Sequence, residues 1–251
     1  MSTVFLSDWR FWSFVASITA IVLSQLPPIK QLVKKAKLDI ELYSRIHINH
    51  NVGNPILTAH MIIRNIGGRK VRVKEINLKL EREGQSICTL KAQNYYPDPK
   101  TNKGVILTPF SLNPDDEWSN SVSFMKFFGR TEEKAFRKAQ KALKENILQK
   151  RKGLDDNEIV IADDELVAPF HDLFEQLFIW KDGEYSLTFN VKTENSVSDI
   201  KIKSKFIIFE SQFDDLSEYK KQYSTGAGIY WDNSEQTGIF IELDNVTSTQ
   251  E

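Results

Sequence analysis

From Leu38 onward apolar side chains return at every second position. That period constrains the fold strongly, because successive side chains of a strand point to opposite faces. Leu38, Ile40 and Leu42, followed by Ile46 and Ile48, make the first run, Ile56 to Ile63 a second, and Val71, Val73, Ile76, Leu78 and Leu80 a third. Each reads as a strand with one wet face and one buried face. Weaker strands fit Ile87 to Leu90, Val105 to Leu107 and Val122 to Phe124. A late strand from Ile200 to Phe209 sets Lys201, Lys203 and Lys205 against Ile200, Ile202, Ser204 and Phe206. Asn65-Ile66-Gly67-Gly68 supplies the positive-φ positions of a hairpin or tight corner. Asp182-Gly183, between Phe178 and Trp180 on one side and Tyr185, Leu187, Phe189 and Val191 on the other, reads as the centre of a second hairpin.

Short strands with turn signals between them indicate an antiparallel sandwich. The run from His60 to Leu80, an apolar strand, Asn-x-Gly and an alternating strand, resembles the early strands of bacterial immunoglobulin-like sandwiches. Leu112-Asn113-Pro114-Asp115 leading to Val122 and Phe124 is similar to a later strand entry in those modules. The two motifs span roughly a third of the chain and lack the Cys…Trp…Cys pattern of true immunoglobulin domains. The fold implied by the resemblance is mainly β, an antiparallel Ig-like β-sandwich over 38–210 with a helical insertion at about 130–178.

The insertion begins with Thr131, Glu132 and Glu133 and ends with Lys150, Arg151, Lys152 and Gly153, an order that complements the helix dipole. Phe136, Ala139, Leu143 and Ile147 form its narrow apolar stripe. From Arg130 to Lys152 nine Lys or Arg stand against three Glu, so Lys134, Arg137, Lys138, Lys141 and Lys144 form a candidate basic contact surface. A solvated face, an anionic membrane, an acidic partner and nucleic acid all compete for that surface. A second short helix is expected at Glu165 to Phe178, interrupted by Pro169. Residues 211–251 read as a C-terminal extension with a helical turn, a Gly226-Ala227-Gly228 loop and a strand from Ile239 to Leu243.

Ahead of the strands, no charge occurs between Arg10 and Lys30. As a helix, Phe11 to Ile29 would span roughly 28 Å, close to the ~30 Å hydrocarbon core of a bilayer. Residues 1–29 are therefore expected to be a transmembrane anchor, with an interfacial or buried helix and a cleaved signal as alternatives. Lys30, Lys34, Lys35 and Lys37 form a basic juxtamembrane linker over 30–37. Set against Arg10, they place the N-terminus outside and the large domain in the cytoplasm, at the inner (plasma) membrane. Ser13, Ser17, Ala20 and Ser24 make a small-residue stripe suited to helix association, so a homo-oligomer is expected to be possible. Cys88 is the only cysteine, which precludes an intrachain disulfide.

A formal net charge of -1 implies no bulk attraction to nucleic acid, and no direct contact with it is expected. Gly-x-Ser-x-Gly, P-loop, His-Glu-x-x-His and Cys-x-x-Cys signatures are all missing. Asp98 to Gly104 puts a lysine at a calcium-ligand position and reads as a turn. Ser224 to Gly228 is too short for a phosphate loop. His47, His50 and His60 would need to converge to hold a metal, and strand alternation opposes that for the first two. No enzyme activity, cofactor or metal is expected. The expected function is that of a non-enzymatic single-pass membrane protein whose cytosolic sandwich binds a protein partner, as a membrane-effector subunit of a prokaryotic defence or toxin system. The alternatives are a passive anchor for a cytosolic enzyme and an exported carbohydrate- or peptide-binding sandwich.

Overall fold

The computed structural model describes residues 9–25, 34–98, 103–155, 158–231 and 238–250. After α1 (Trp9–Gln25) come β1 (Leu38–Asn51), β2 (Asn54–Asn65), β3 (Val71–Arg82), β4 (Gln85–Tyr96), the short β5 (Val105–Ile106) and β6 (Phe110–Leu112), and β7 (Glu117–Met125). Two helices follow, α2 (Arg130–Lys150) and α3 (Asp164–Leu177). The chain then forms β8 (Gly183–Thr193), β9 (Ile200–Ile208), α4 (Glu210–Glu218), a 3-10 segment (Tyr219–Thr225), β10 (Ile239–Glu242) and β11 (Asp244–Gln250).

The described strands belong to one antiparallel sheet in the order β10-β1-β2-β7-β4-β3-β8-β9-β11, with β5 on β4 and β6 on β3. This corrects the Ig-like sandwich: a single sheet rolls into a nearly closed barrel, and no second sheet faces it. The register shifts show why. Irregularities fall between Leu42 and Ile46 on β1, between Val73 and Glu75 on β3, and between Ala92 and Asn94 on β4. Each such bulge adds local twist and bend, so long strands curl around a common core instead of lying flat against a partner sheet. The alternation then works as expected. Ile48, Leu57, Met61, Leu78, Val122, Phe189 and Ile202 point inward and are buried.

The sheet's two ends are closed by one segment. β10 pairs with β1, from Ile48↔Ile239 to Arg45↔Glu242, and β11 pairs with β9, from Asp244↔Lys205 to Gln250↔Ile200. Between them Leu243 donates its amide to the Ser44 carbonyl at 2.7 Å, within the β1 bulge. Ser204, the hydroxyl in an otherwise apolar inward row, donates to the Asp244 carbonyl at 3.0 Å.

The membrane-spanning helix is also corrected. α1 has 17 residues, or about 25 Å of helix, carries Arg10 near its start and ends on Gln25. Among the described residues no helix is long and apolar enough to cross a membrane. Every α1 residue whose exposure is described is exposed, apart from half-buried Val15.

The Asp182-Gly183 expectation needs a different reading. Gly183 opens β8 opposite Ile208 of β9, and the segment before it is not a strand. Instead Trp180 is fully buried and donates its indole N–H to the Asn49 carbonyl at 2.8 Å. The Tyr185 hydroxyl accepts the Lys181 amide at 2.9 Å and lies 2.8 Å from the Ile179 carbonyl, holding this strap in place. Asn65 to Gly68 does form a corner, but between β2 and β3, which are not neighbours in the sheet. Asn65 is fully buried and its side chain organises the crossing. Its amide donates to the carbonyls of Arg69 (2.8 Å) and Leu112 (3.0 Å), and its oxygen accepts from Gly67 N at 3.0 Å.

A second apolar cluster caps the barrel rim where β1 turns into β2. Leu143 and Ile147 of α2, Val167, Phe170 and Phe174 of α3, Tyr219 and Tyr223 of the 3-10 segment, and Ile229 surround Val52. Val52 (φ 47) and Gly53 (φ 79) form the two-residue turn. A β-branched residue in the left-handed region costs of order 1–2 kcal/mol; here the strained side chain fills the cap core. At Gly53 any Cβ would lie 2.7 Å from the Phe174 carbonyl oxygen, so α3 sits directly on the turn. His50 links these parts: its Nδ1 accepts from Gly53 N at 3.2 Å, which leaves Nε2 to donate to the Leu216 carbonyl at 2.9 Å. Phe174, Phe178 and Tyr219 ring it edge-on.

Two predictions follow from this packing. Replacing Asn65 by Ala strands two carbonyls and an amide, each worth about 1–3 kcal/mol when buried. Urea denaturation should show a loss of roughly 3 kcal/mol or more, and an unchanged midpoint would refute the clamp. Burial lowers the His50 pKa from 6.5 to about 4, against a smaller upward effect of its bond to the Leu216 carbonyl. The unfolded chain then takes up this proton near pH 6.5 and the folded chain only near pH 4. Its contribution is full above pH 6.5 and is lost as pH falls toward 4, by about 3 kcal/mol at 1.36 kcal/mol per unit. The fall in stability between pH 7 and 4 should be shallower in His50→Gln than in the parent; parallel curves would contradict the assignment.

Candidate partner-binding surface

α2 lies on the cap with Phe136, Leu143 and Ile147 turned toward the second core and its charged residues turned outward. Lys134, Arg137, Lys138, Lys141 and Lys144, expected as one basic surface, are all exposed. Part of this charge is compensated locally. Arg137 pairs with Glu133 at 2.7 Å, Lys141 with Glu145 at 3.8 Å, and Lys150 with Asp163 at 2.7 Å. The Lys150 ammonium and the Asn146 amide hold the Asp163 carboxyl below its usual range. Glu132 is spent on the helix start, accepting from Gly129 N at 2.8 Å. Among the described residues Arg130, Lys134, Lys138, Lys144, Arg151 and Lys152 have no carboxylate within 4.0 Å. The Lys144 ammonium instead lies 5.7 Å from the Tyr230 ring centroid.

Beside the last turns of α2 the loop after the 3-10 segment presents two aromatics. Gly226 (φ 86) takes the left-handed turn that ends the segment, and a Cβ there would run into the Tyr230 ring. Gly228 N donates to the Trp231 carbonyl at 2.8 Å, and the Trp231 indole donates to the Thr225 carbonyl at 3.1 Å. Gln140 of α2 donates to the Ile229 carbonyl, tying helix and loop together. A cleft of about 380 Å³ results, lined by Ile147, Leu148, Arg151, Tyr230 and Trp231. Trp231 remains 42% and Leu148 50% exposed, and Leu154, Ile159 and Ile161 nearby in sequence are exposed as well. Tyr230 and Trp231 carry no sequence signal beyond their neighbouring glycines, because an exposed aromatic is spelled like a buried one.

The other expected site residues fall elsewhere. Lys30 lies outside the described residues. Lys34, Lys35 and Lys37 sit at the opposite rim of the barrel, where the Lys35 and Lys37 carbonyls accept from Gly68 and from Ile66 and Gly67. Lys35 shares a cleft of about 570 Å³ with Arg69, Lys70 and Arg72. Ser13, Ser17, Ala20 and Ser24 stay exposed, but Ser17 donates to the Ser13 carbonyl (2.8 Å) and Ser24 to the Ile21 carbonyl (2.7 Å). Those hydroxyls are occupied within their own helix.

The histidines do not converge. His47 packs against Phe240, His60 lies between Ser119 and Ser121 on the outer wall, and His50 is the buried link of the cap. Among the described residues no group of three or more His, Cys, Asp or Glu could hold a metal ion. Burial pushes the Cys88 thiol up to about 11, away from the reactive thiolate.

No family model matches the chain, and no curated protein matches it. Solved structures that resemble the chain include two distant ones. A protein from Archaeoglobus fulgidus is 7% identical over 70% of this chain and 98% of its own, with a TM-score of 0.29. A candidate lipoprotein of Bacillus subtilis is 10% identical over 77% of this chain and 98% of its own, with a TM-score of 0.23.

Proposed function

We propose that this chain is a non-catalytic recognition protein whose helical cap docks on an acidic, amphipathic segment of a protein partner. The observation that carries the reading is the cleft at the end of α2, where Leu148, Tyr230, Trp231 and Arg151 meet at the surface. Trp, Tyr and Arg are the residue types that dominate binding energy at protein interfaces, and clustered exposed apolar groups mark such surfaces. The lysines and arginines around the cleft that lack carboxylate partners among the described residues favour negative charge on the occupant. This retains the partner-binding part of the sequence expectation and needs no spanning helix.

A photo-crosslinking residue at position 148, introduced in producing cells, tests the proposal. It should give one discrete adduct whose crosslinked peptide is rich in Asp and Glu. That peptide, made synthetically, should bind the purified chain, and Trp231→Ala or Arg151→Glu should each weaken binding at least tenfold, about 1.4 kcal/mol. Thermal stability should barely change in either variant. A peptide without acidic residues, or equal affinity after charge reversal, would sink the reading. So would the same adduct forming from a probe on the outer wall at Ile207.

A further inference from the structure

α1 is two-sided, and its apolar side is bare. Phe11, Phe14, Val15, Ile18, Ile21 and Val22 recur at spacings of three and four and so share one face, whereas Arg10, Ser13, Ser17 and Ser24 share another. Phe14 and Ile21 are each 63% exposed and Ile18 45%. Neither the barrel core nor the cap cluster includes a residue of α1. A helix that belonged to the folded body would turn this face onto one of them.

The polar groups of α1 suit a place where water gives way to hydrocarbon. Ser17 donates to the Ser13 carbonyl at 2.8 Å, Thr19 to the Val15 carbonyl at 2.8 Å and Ser24 to the Ile21 carbonyl at 2.7 Å, so these hydroxyls need no solvent partner. Trp9 and Trp12 stand exposed at the N-terminal end. Indoles favour the headgroup level, where the ring is half buried and the N–H stays wet.

The barrel rim next along the chain adds charge. Lys34, Lys35 and Lys37, which lead into β1, are exposed beside Arg69, Lys70 and Arg72, which lead into and begin β3. Backbone packing fixes the two sets together: a Cβ on Gly67 would lie 2.4 Å from both the Lys35 carbonyl oxygen and the Lys37 nitrogen. Among the described residues none of these six cations has a carboxylate within 4.0 Å. Asp199, at the same rim, is spent accepting from the Thr193 amide at 2.7 Å and hydroxyl at 3.0 Å. Gln25 and Lys34 are nine residues apart, a reach of at most about 30 Å, so the bare face and the basic rim can meet one surface.

We propose that the chain binds the surface of an anionic lipid bilayer, with the Phe14 face of α1 embedded among the outer parts of the acyl chains and the basic rim against the headgroups. A bare apolar face alone would equally accept a second copy of this chain. Joined by a short tether to a rim of uncompensated cations, it matches a surface that is negative on top and apolar beneath. In this arrangement α1 lies along the bilayer, its serine side toward water, and does not cross it. The surface is independent of the cap cleft.

Co-sedimentation of the full chain with vesicles tests it, using phosphatidylcholine alone and phosphatidylcholine mixed with phosphatidylglycerol. The mixed vesicles should bind at least tenfold more tightly, and high salt should remove most of that advantage. Phe14→Asp combined with Ile18→Asp should abolish binding to both, with an unchanged melting temperature because the face packs on neither core. Lys35→Glu combined with Arg69→Glu should weaken binding to the mixed vesicles at least tenfold and leave binding to phosphatidylcholine as it was. Bromines near the headgroup end of the acyl chains should quench tryptophan fluorescence more than bromines at the chain ends. The proposal is overturned if the mixed vesicles hold no advantage, if the double aspartate variant binds like the parent or melts earlier, or if the deep bromines quench more. Sedimentation equilibrium without lipid supplies the remaining check: a monomer is expected, and a dimer that the aspartate variant dissociates would assign the face to a second copy and refute the lipid reading.

Discussion

Hydrogen bonding on both sides of one chain segment, 239–250, is the constraint on which the rest of the structure rests. A rolled sheet must dispose of two edges, each a row of unpaired amides and carbonyls that would otherwise recruit another chain. Here the first half of the segment satisfies β1 and the second half satisfies β9. The change of partner falls at Leu243, where the β1 bulge leaves the Ser44 carbonyl free to accept its amide. The bulge is therefore a receptor for the closing strand as well as a source of curvature. With these pairings the outward residues of β9 stand beside those of β8, and Asn77 of β3 and Asn190 of β8 lie opposite each other in register.

How far this was legible in the residues depends on the distance over which each cause acts. Alternation is local, so β1, β2, β3 and β9 could be read from spelling. Curvature is not local. The interruption at Tyr43, Ser44 and Arg45 is visible as a break in period, yet only the pairing with β2 and β10 shows that it bends the sheet into a barrel. Trp180 misled for a related reason: Phe178 and Trp180 alternate like a strand, whereas the indole is needed to fill the barrel's mouth and to reach the Asn49 carbonyl. The uncharged N-terminal stretch promised a longer helix than Trp9–Gln25 provides.

The candidate surfaces divide in the same way. The basic face of α2 follows from helical periodicity and was readable residue by residue. Tyr230 and Trp231 join it only because Gly226 reverses the chain beside the helix. The pairing of Asn77 with Asn190 depends on cross-strand register, since nothing in the spelling of residues 77 and 190 tells that they are opposite one another.

The closing segment also sets a timetable for biosynthesis. Ile48 leaves the ribosome long before Ile239, its partner across the ladder. During that interval β1 has a bare edge, and its outward residues Asp39, Glu41 and Arg45 supply charge that discourages pairing with neighbouring nascent chains. Formation of the barrel is thus a late event governed by the slow search of a distant strand for its edge.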